Sequence, residues 1–291
     1  MTITLQHLSE SDIPALHQAF LEAFSDYVQD ASHVTETYIR NRSTLNGVVY
    51  ENSVGIFDHD KLVGFILVAL DDFCGEHAAY DGLTGIIKPY REQGLAKAMF
   101  DFVLPGLHSR GARSFYLEVI KSNQPAIRAY EKSGFKITRE LDAYEIHFED
   151  IQAKELPGSG IEIRPVPKCV LMNVDEFFDW QPSWGNTIAS IQRIPDEVII
   201  LGAHVQTELV GFLVYYPLLR WILNLAVHRS YRRQKIGTAL IAKLKDVIGP
   251  QDPPIKIINI EHADKSMIEF LNTVGKMHDI GQYEMKLDLQ K

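Results

Sequence analysis

The segment IIKPYREQGLAKAMFDFV, residues 86–103, changes its pattern within a few positions. It opens with apolar residues typical of a strand, passes a proline, and tightens at Gly94. After Leu95 the apolar residues recur at helical spacing. A helix that begins directly after a tight turn presents backbone N–H groups without internal partners, and its dipole favours anions. The segment therefore predicts a cradle for a phosphate or pyrophosphate group.

The residue types around the turn suit such a ligand. Gly94 allows the backbone to approach the ligand closely, and Ala96 keeps a neighbouring position small. Arg91 offers a bidentate contact to phosphate, with Lys88 and Lys97 nearby. The alternative is that Gly94 is a simple turn residue between a strand and a helix. The nucleotide-binding patterns GxxxxGKS/T and GxGxxG do not match this segment.

The same arrangement occurs a second time in the chain. YREQGLAKAM corresponds to YRRQKIGTAL, and the tetrapeptide LVGF is also present twice. Three well-separated pairs share one displacement of 141 residues: Arg91 and Arg232, Asn123 and Asp264, Gly134 and Gly275. The chain is therefore predicted to contain two copies of one domain.

Each copy alternates strand-like and helix-like segments, which predicts an α/β layered fold. The predicted domains are residues 1–150 and 161–291, a division that suits a chain of 291 residues. The linker between them is placed at 151–160, where proline and glycine concentrate.

Composition narrows the possible partners. A net charge of −9 argues against nucleic-acid binding, which requires a basic surface. The absence of a long apolar run and of a secretory signal pattern predicts a protein outside the membrane. Only two cysteines are present, which predicts a cytoplasmic location. The sequence has neither HExxH nor CxxC, so no metal site is expected.

Two motifs in the first copy resemble the GNAT superfamily of acyl-CoA N-acyltransferases. Arg91-Glu92-Gln93-Gly94-Leu95-Ala96 matches the family signature Q/R-x-x-G-x-G/A. LEVIKSNQPAIRAYEKSGF, residues 117–135, is similar to the family's final strand and helix. The resemblance covers essentially the whole chain as a tandem pair. It implies, for each copy, a mixed and mostly antiparallel sheet with flanking helices and a central splayed pair of parallel strands.

The resemblance also implies the cofactor, acetyl-CoA (coenzyme A), bound between the splayed strands. A backbone N–H near Ile86 or Ile87 is then expected to donate to the thioester carbonyl. The residues that the resemblance assigns to the cofactor are Ile86, Ile87, Lys88, Arg91, Glu92, Gln93, Gly94, Leu95, Ala96, Lys97, Asn123, Ala126 and Tyr130.

Two residues of the first copy are candidates for proton transfer. Tyr130 occupies the position from which the family's tyrosine protonates the coenzyme A sulfur, and its alternative role is that of a core aromatic. Glu118 lies within an apolar strand, as does the base of similar ribosomal-protein alanine acetyltransferases; it is a general base or half of an ion pair. Asn123 positions the cofactor, caps a helix, or does both.

The acceptor site is less visible in the sequence. Asp26 and Tyr27 follow the first helical region, where acceptor loops of the family lie. Tyr80 and Asp81 precede the strand expected at the cofactor. We predict that these four residues line an amine pocket; taken singly, each also fits a solvated loop.

The second copy lacks several of these groups. Its replacements at the corresponding positions are Lys235 for Gly94, Leu271 for Tyr130, Asn259 for Glu118 and Asp264 for Asn123. Because the candidate acid and base are both missing, the second copy is predicted not to catalyse the reaction. Whether it binds coenzyme A stays open at this stage.

These observations together predict an acetyl-CoA-dependent N-acetyltransferase. The first domain is expected to transfer an acetyl group, by direct attack, to a primary amine on a small molecule or a peptide. The alternatives are a longer acyl donor, or a non-enzymatic acyl-CoA-binding or sensor protein on the same scaffold. The protein is expected to be a monomer or a homodimer.

Overall fold

The computed structural model describes residues 2–27, 30–151, 160–194, 198–251 and 254–290. Strands and helices alternate along the chain, which confirms the predicted α/β class. The strands are β1 (Ile3–His7), β2 (Val54–Asp58), β3 (Lys61–Phe73), β4 (Glu76–Ile86), β5 (Ser114–Ile120), β6 (Lys136–Ile146), β7 (Ile161–Pro165), β8 (Ile199–Val205), β9 (Glu208–Tyr216), β10 (Trp221–Val227), β11 (Ile255–Glu261) and β12 (Gly275–Asp288). The helices are α1 (Ile13–Ala23), α2 (Glu36–Asn46), α3 (Leu95–Ser109), α4 (Gln124–Lys132), α5 (Ile188–Arg193), α6 (Ile236–Ile248) and α7 (Lys265–Val274).

The chain forms two compact units whose limits differ from those of the sequence repeat. The first unit takes in the chain up to Thr138 together with the chain from Tyr283 onward, and the second runs from Arg139 to Gln282. Strands β6 and β12 therefore each begin in one unit and end in the other. The predicted domains, 1–150 and 161–291, follow the repeat instead. Most of the predicted linker, 152–159, lies outside the described residues.

The exchange of final strands has a packing reason. Tyr144 and Ile146, at the end of β6, are buried in the core of the second unit. Met285 and Leu289, in and after β12, are buried in the core of the first. Each unit thus completes its hydrophobic core with the last strand of the other repeat, and the cores rather than the repeat set the limits of the units.

The sheet of the first unit supplies the splayed pair of parallel strands. β1 to β4 pair with their chain neighbours in antiparallel fashion, and β4 then pairs with β5 in parallel. The parallel pairing covers only Ala78–Asp81 against Ser114–Leu117, whereas β4 continues to Ile86 and β5 to Ile120. A register shift against β3 makes Gly82 an extra residue, a β-bulge at the point where the pairing stops.

The second unit repeats this plan. β7 to β10 are antiparallel, and β10 pairs with β11 in parallel only at Trp221 and Ile222. The register against β9 shifts directly afterwards, between Ile222 and Asn224. Both units therefore contain a splayed parallel pair, which confirms that part of the prediction.

Helix α3 is held by a conventional amphipathic face. Its buried residues are Met99, Phe100, Val103 and Leu107, which recur at helical spacing. Among the described helices, none is long and apolar enough to cross a membrane. The N-terminus of α3 is fixed by this packing, and it lies where β4 has ended.

Candidate active site

The turn before α3 has the conformation that the sequence predicts. Gly94 is the N-cap residue with φ +76°, and Glu92 also has a positive φ, +64°. A Cβ atom built on Gly94 would meet nothing within 4 Å, so the space in front of the helix is open. Glycine is favoured here by its backbone conformation rather than by packing. Leu95 and Ala96 form the first turn of the helix behind this space.

Arg91 does not occupy the position that the sequence suggested. Its Nη1 and Nη2 atoms donate to the two carboxylate oxygens of Asp26 at 2.9 and 2.8 Å. Nη2 also donates to the carbonyl of Ala23 at 2.7 Å, and Nε donates to that of Ile86 at 3.1 Å. The guanidinium therefore ties the end of α1 to the end of β4, and these four hydrogen bonds use four of its five N–H groups. We correct the prediction of a bidentate phosphate contact from Arg91 to a scaffolding role.

Asp26 is correspondingly removed from the predicted amine pocket. The hydrogen bonds from Arg91 lower the pKa of its carboxyl group to about 2. Lys88 lies 3.6 Å from the same carboxylate. Arg91, Lys88 and Asp26, which the sequence assigned to ligand binding, thus form one network at the surface. The reason is that the end of α1 offers Arg91 a carboxylate and a backbone carbonyl.

Other predicted cofactor residues make local contacts. The Gln93 amide donates to the carbonyl of Pro89 at 3.0 Å, and Lys97 forms an exposed ion pair with Asp101 at 2.6 Å. Glu92 is exposed. Around this turn the groups left for a ligand are therefore backbone N–H groups, since the side chains of Arg91, Gln93 and Lys97 have partners within the protein.

The backbone of β4 decides which amide faces the gap between the splayed strands. The N–H of Ile87 donates to the carbonyl of Val63 on β3 at 3.0 Å, so it is already used. Successive N–H groups of a strand point to opposite edges. The N–H of Ile86 consequently points away from β3 and toward the gap. Of the two amides named from the sequence, Ile86 is the one that fits a donor to a thioester carbonyl.

Tyr130 lies on one side of this gap within a chain of polar groups. The side chain is 9% exposed, and its ring packs against Phe100 and Phe135. Thr84 is a polar neighbour of its hydroxyl and acts to lower its pKa. Burial raises the pKa of Tyr130 well above 10, and the charges of Asp81 and Tyr27 raise it further. The phenol is therefore held protonated at neutral pH.

Asp81 completes the chain that begins at Tyr130. The Thr84 hydroxyl donates to its Oδ2 atom at 2.5 Å. The residue is 6% exposed, and burial raises the pKa of its carboxyl group to about 7. Its Oδ1 atom is buried and has no hydrogen-bond partner among the described residues. A buried carboxyl group that titrates near neutrality is a mark of a functional site.

Glu118 lies in a second polar cluster with Tyr80. The Tyr80 hydroxyl is hydrogen-bonded to Glu118, and burial together with the charge of Glu118 raises the pKa of Tyr80 well above 10. Arg42 of α2 interacts electrostatically with both residues and is hydrogen-bonded to Tyr38. Both interpretations of Glu118 taken from the sequence therefore remain compatible with its surroundings, a proton acceptor and a member of an ion pair.

The two clusters lie on opposite faces of the sheet. In the parallel register Tyr80 is opposite Tyr116, and Asp81 is opposite Leu117. Because side chains alternate along a strand, Tyr80 and Glu118 share one face while Asp81 lies on the other. The gap between β4 and β5 opens directly beyond Asp81 and Leu117. A ligand that passes through the gap would meet Tyr130 on one face and Glu118 on the other.

Asn123 adopts the capping role, as one of its two sequence interpretations predicted. Its Oδ1 atom accepts from the N–H of Ala126 at 3.2 Å, in the first turn of α4. Burial raises the pKa of Tyr27 above 10, and the neighbouring Asn123 side chain acts to lower it. Tyr27 lies in the turn after α1, as the sequence placed it, and it interacts electrostatically with Tyr130.

Two members of these clusters were not identified from the sequence. Arg42 belongs to a polar helix that reads as a surface element, and only its spacing of four from Tyr38 hints at a shared face. Thr84 follows a bulge, which brings it onto the same face as Asp81 although the two are three positions apart in the strand. No group of three or more possible metal ligands occurs within the part of the chain that the structure describes.

Comparisons with known proteins agree with this architecture. A family model described as "Acetyltransferase (GNAT) family" matches residues 13–135 and 169–266. N-alpha-acetyltransferase 30 of Schizosaccharomyces pombe is 30% identical over 101 residues, which cover 34% of this chain and 67% of that protein. The ribosomal protein bS18-alanine N-acetyltransferase of Escherichia coli is 28% identical over 137 residues, covering 45% and 80%.

Solved structures share the fold over the whole chain. A GCN5-related N-acetyltransferase from Sphaerobacter thermophilus superimposes with a TM-score of 0.75 at 15% identity, covering 99% of this chain and 96% of that one. A tandem GNAT protein from the clavulanic acid biosynthesis pathway gives 0.72 at 12% identity, covering 100% and 99%. The chain therefore belongs to the GNAT acetyltransferase family and carries two GNAT domains in tandem.

Proposed function

We propose that the first unit transfers an acetyl group from acetyl-CoA to a primary amine. The observation that supports this most directly is the gap between β4 and β5, with a protonated phenol on one face and a carboxylate on the other. Such a site can hold an amine and a thioester in line, and positioning of this kind accounts for much of the rate of a direct attack.

The residues at the turn fit the proposed cofactor. The open space before Gly94 and the unpaired N–H groups of the first turn of α3 suit a pyrophosphate group. We assign the donor to the thioester carbonyl to the N–H of Ile86, since that of Ile87 is bonded to Val63. Bound acetyl-CoA would supply the activated acetyl group. We retain the backbone of this turn as the binding element and exclude the side chain of Arg91.

Proton transfer is assigned to one residue on each face. Glu118 accepts the proton that the amine loses as its nitrogen bonds to the acyl carbon, directly or through water. Tyr130 donates its proton to the sulfur as the carbon–sulfur bond breaks and its electron pair passes to sulfur. Thr84 is the polar neighbour of the Tyr130 hydroxyl, and Tyr80 is that of the Glu118 carboxylate. One proton leaves nitrogen and one reaches sulfur, so the reaction balances.

The acceptor is proposed to be a primary amine of a small molecule or a peptide. The names of the curated relatives specify an alanine of a ribosomal protein and N-alpha acetylation, which favours a peptide. A carboxylate, Glu118, on the face opposite Tyr130 also suits an amine that arrives as an ammonium ion.

We expect the chain to bind one molecule of acetyl-CoA, and Gly94→Glu to abolish the binding. The new side chain would fill the open space before α3 and place a negative charge where pyrophosphate is expected. Isothermal titration calorimetry on the full chain measures both the affinity and the number of sites.

Gly75→Glu is the matched control for this titration. Gly75 also has a positive φ, +78°, with nothing within 4 Å of an added Cβ, and it lies at the β3–β4 hairpin. The control carries the same strain and the same charge, so it should bind acetyl-CoA like the wild type. Unaltered binding by Gly94→Glu would contradict the proposed cofactor site.

A protein that binds acetyl-CoA without turnover is the second candidate. It is favoured by the finding that the side chains of Arg91, Gln93 and Lys97 interact with other groups of the protein. Release of free thiol with a panel of peptides and small amines distinguishes the two. Tight binding of acetyl-CoA with no thiol release across the panel would support the sensor and contradict the enzyme.

A further inference from the structure

The second unit contains a cavity that the first unit's chemistry does not explain. Its volume is about 520 Å³, within the range of small-molecule sites. It lies between β10 and β11 beyond their short parallel pairing, at the N-terminus of α6 and beside α7. A segment at residues 177–182 forms another wall. All of the lining residues belong to the second unit.

The walls of this cavity differ from the corresponding groove of the first unit in a coordinated way. Gly237 stands where the first copy has Ala96, and Phe270 stands where it has Ala129. A Cβ atom on Gly237 would lie 2.9 Å from the Phe270 ring, so the ring fits only because position 237 has no side chain. Met267 likewise replaces Ala126. One position became smaller while its neighbours became larger, which indicates a reshaped groove rather than a collapsed one.

The cationic side chains around the cavity are paired, with one exception. Arg229 and Arg232 bind Asp179, and Arg233 lies 3.7 Å from Glu269. Lys235 makes no ion pair with any other residue that the structure describes. Carboxylates also line the cavity, but Asp179 and Glu269 are the partners of these arginines, Glu261 pairs with Arg139, and Asp264 caps α7 by accepting from the N–H of Met267. Lys235 is therefore the cation of the lining that has no ion-pair partner among the described residues.

The position of Lys235 is locally unfavourable in two respects. As the N-cap of α6 it has φ +63°, a left-handed conformation that costs a non-glycine residue about 1 kcal/mol. It also places a cation at the positive end of a helix dipole. A bound anion would offset both the repulsion and the unpaired N–H groups there.

The rest of the lining is mainly apolar. Phe178, Leu225, Met267 and Phe270 line the cavity, and Trp180, at 45% exposure, stands at its edge. A ligand that satisfies the whole cavity must thus combine an anionic head with an apolar or aromatic body.

We propose that this cavity binds an amphiphilic organic anion smaller than coenzyme A. The anionic group lies between Lys235 and the N-terminus of α6, and the apolar body lies against Phe270 and Trp180. Because Lys235, Phe270 and Met267 line this cavity where the first copy has a glycine and two alanines, we infer that the second unit does not take coenzyme A. This site is independent of the acetyl transfer proposed for the first unit.

The test uses the full chain with Gly94→Glu, which closes the first groove, and the probe 8-anilinonaphthalene-1-sulfonate, an aromatic sulfonate that fluoresces in apolar surroundings. Fluorescence titration is expected to show one saturable site. Octanoate, an aliphatic carboxylate of the same class, is expected to displace the probe, and coenzyme A is not.

Lys235→Gly is the decisive variant because glycine keeps the left-handed turn and removes only the cation. We expect it to weaken probe binding at least about tenfold. Lys265→Ala removes an exposed charge from the same unit outside the cavity and should leave binding unchanged. Gly237→Ala should also weaken binding, since it displaces Phe270.

Three results would overturn the proposal. They are non-saturable or absent probe binding, probe binding that is indifferent to Lys235→Gly, and displacement of the probe by coenzyme A in the Gly94→Glu background. The last result would identify an ordinary cofactor groove. The loss of acetyl-CoA binding in Gly94→Glu is measured separately by calorimetry, and that result concerns only the first unit.

Discussion

Tyr130→Phe is expected to lower kcat for thiol release by about 10²- to 10⁴-fold and to leave the KM for acetyl-CoA nearly unchanged. The substitution removes the hydroxyl group that is proposed to protonate sulfur. The ring itself remains packed against Phe100 and Phe135, with centroid separations of 5.9 and 6.0 Å. Steady-state kinetics with the best acceptor from the amine panel measure both constants.

Tyr116→Phe serves as the control because it removes a hydroxyl group elsewhere in the same unit. The Tyr116 hydroxyl is bonded to Glu76 at 3.2 Å, away from the gap. We expect its kcat to equal that of the wild type. A Tyr130→Phe variant with wild-type kcat would exclude the acid role and return Tyr130 to the core-aromatic alternative. A rise in KM at unchanged kcat would indicate binding instead of proton donation.

The features that could be predicted from the sequence are those with local causes. The turn at Gly94 follows from a left-handed backbone conformation, and α3 follows from the helical spacing of its apolar residues. The same turn exists in the second unit, where Arg233 and Lys235 take φ values of +65° and +63°. The repeat was therefore a reliable guide to the backbone even where the glycine had been lost.

The features that the sequence did not reveal depend on long-range packing. Arg91 reads as a phosphate ligand because Asp26 lies 65 residues away in the chain. The second unit repeats this pairing, since Arg232 binds Asp179 and the carbonyls of Phe177 and Val227. The exchange of final strands likewise depends on which core buries the apolar residues of β6 and β12. No local pattern distinguishes a strand that stays with its own repeat from one that leaves it.

The sequence predicted where the site lies, and the structure changes which residues belong to it. The structure places Glu118 and Tyr130, the two residues named from the sequence, on opposite faces of one gap, and their roles in proton transfer stay predictions. Asp81 was expected in the amine pocket beside Tyr80, yet it lies on the face of Tyr130 because adjacent residues of a strand point to opposite faces. The bulge at Gly82 then brings Thr84 onto the same face as Asp81. A bulge of one residue leaves no clear mark in a sequence, so side-chain direction beyond it is not predictable.

The wild type is expected to lose stability as the pH rises from about 4 to 7, and Asp81→Asn is expected to lack this pH dependence. The pKa of Asp81 is about 7 in the folded chain and near 3.8 when exposed. Between these values the folded state holds a proton that the unfolded state has released, so the free energy of unfolding falls as pH rises. At about 1.4 kcal/mol for each pKa unit, the full loss is on the order of 4 kcal/mol.

Asparagine has the same shape and does not titrate, so the variant should lack this component. Urea unfolding at pH 5 and pH 8 measures it: relative to Asp81→Asn, the wild type should lose about 3 kcal/mol on going to pH 8. Asp81 shares its face of the sheet with Thr84 and Tyr130, and its carboxyl group also interacts electrostatically with Tyr80 and Arg42 of the opposite face. Only Arg42 carries a positive charge, and burial outweighs its attraction.

Asp101→Asn is the control, since Asp101 forms an exposed ion pair with Lys97 away from the gap. It should follow the pH dependence of the wild type. If the free energy of unfolding changed with pH in the same way in the wild type and in Asp81→Asn, Asp81 would ionise normally in the folded chain. Because an ionised Asp81 raises the pKa of Tyr130 further, the same titration should weaken the acid, and wild-type kcat should fall above pH 7 more steeply than that of Asp81→Asn.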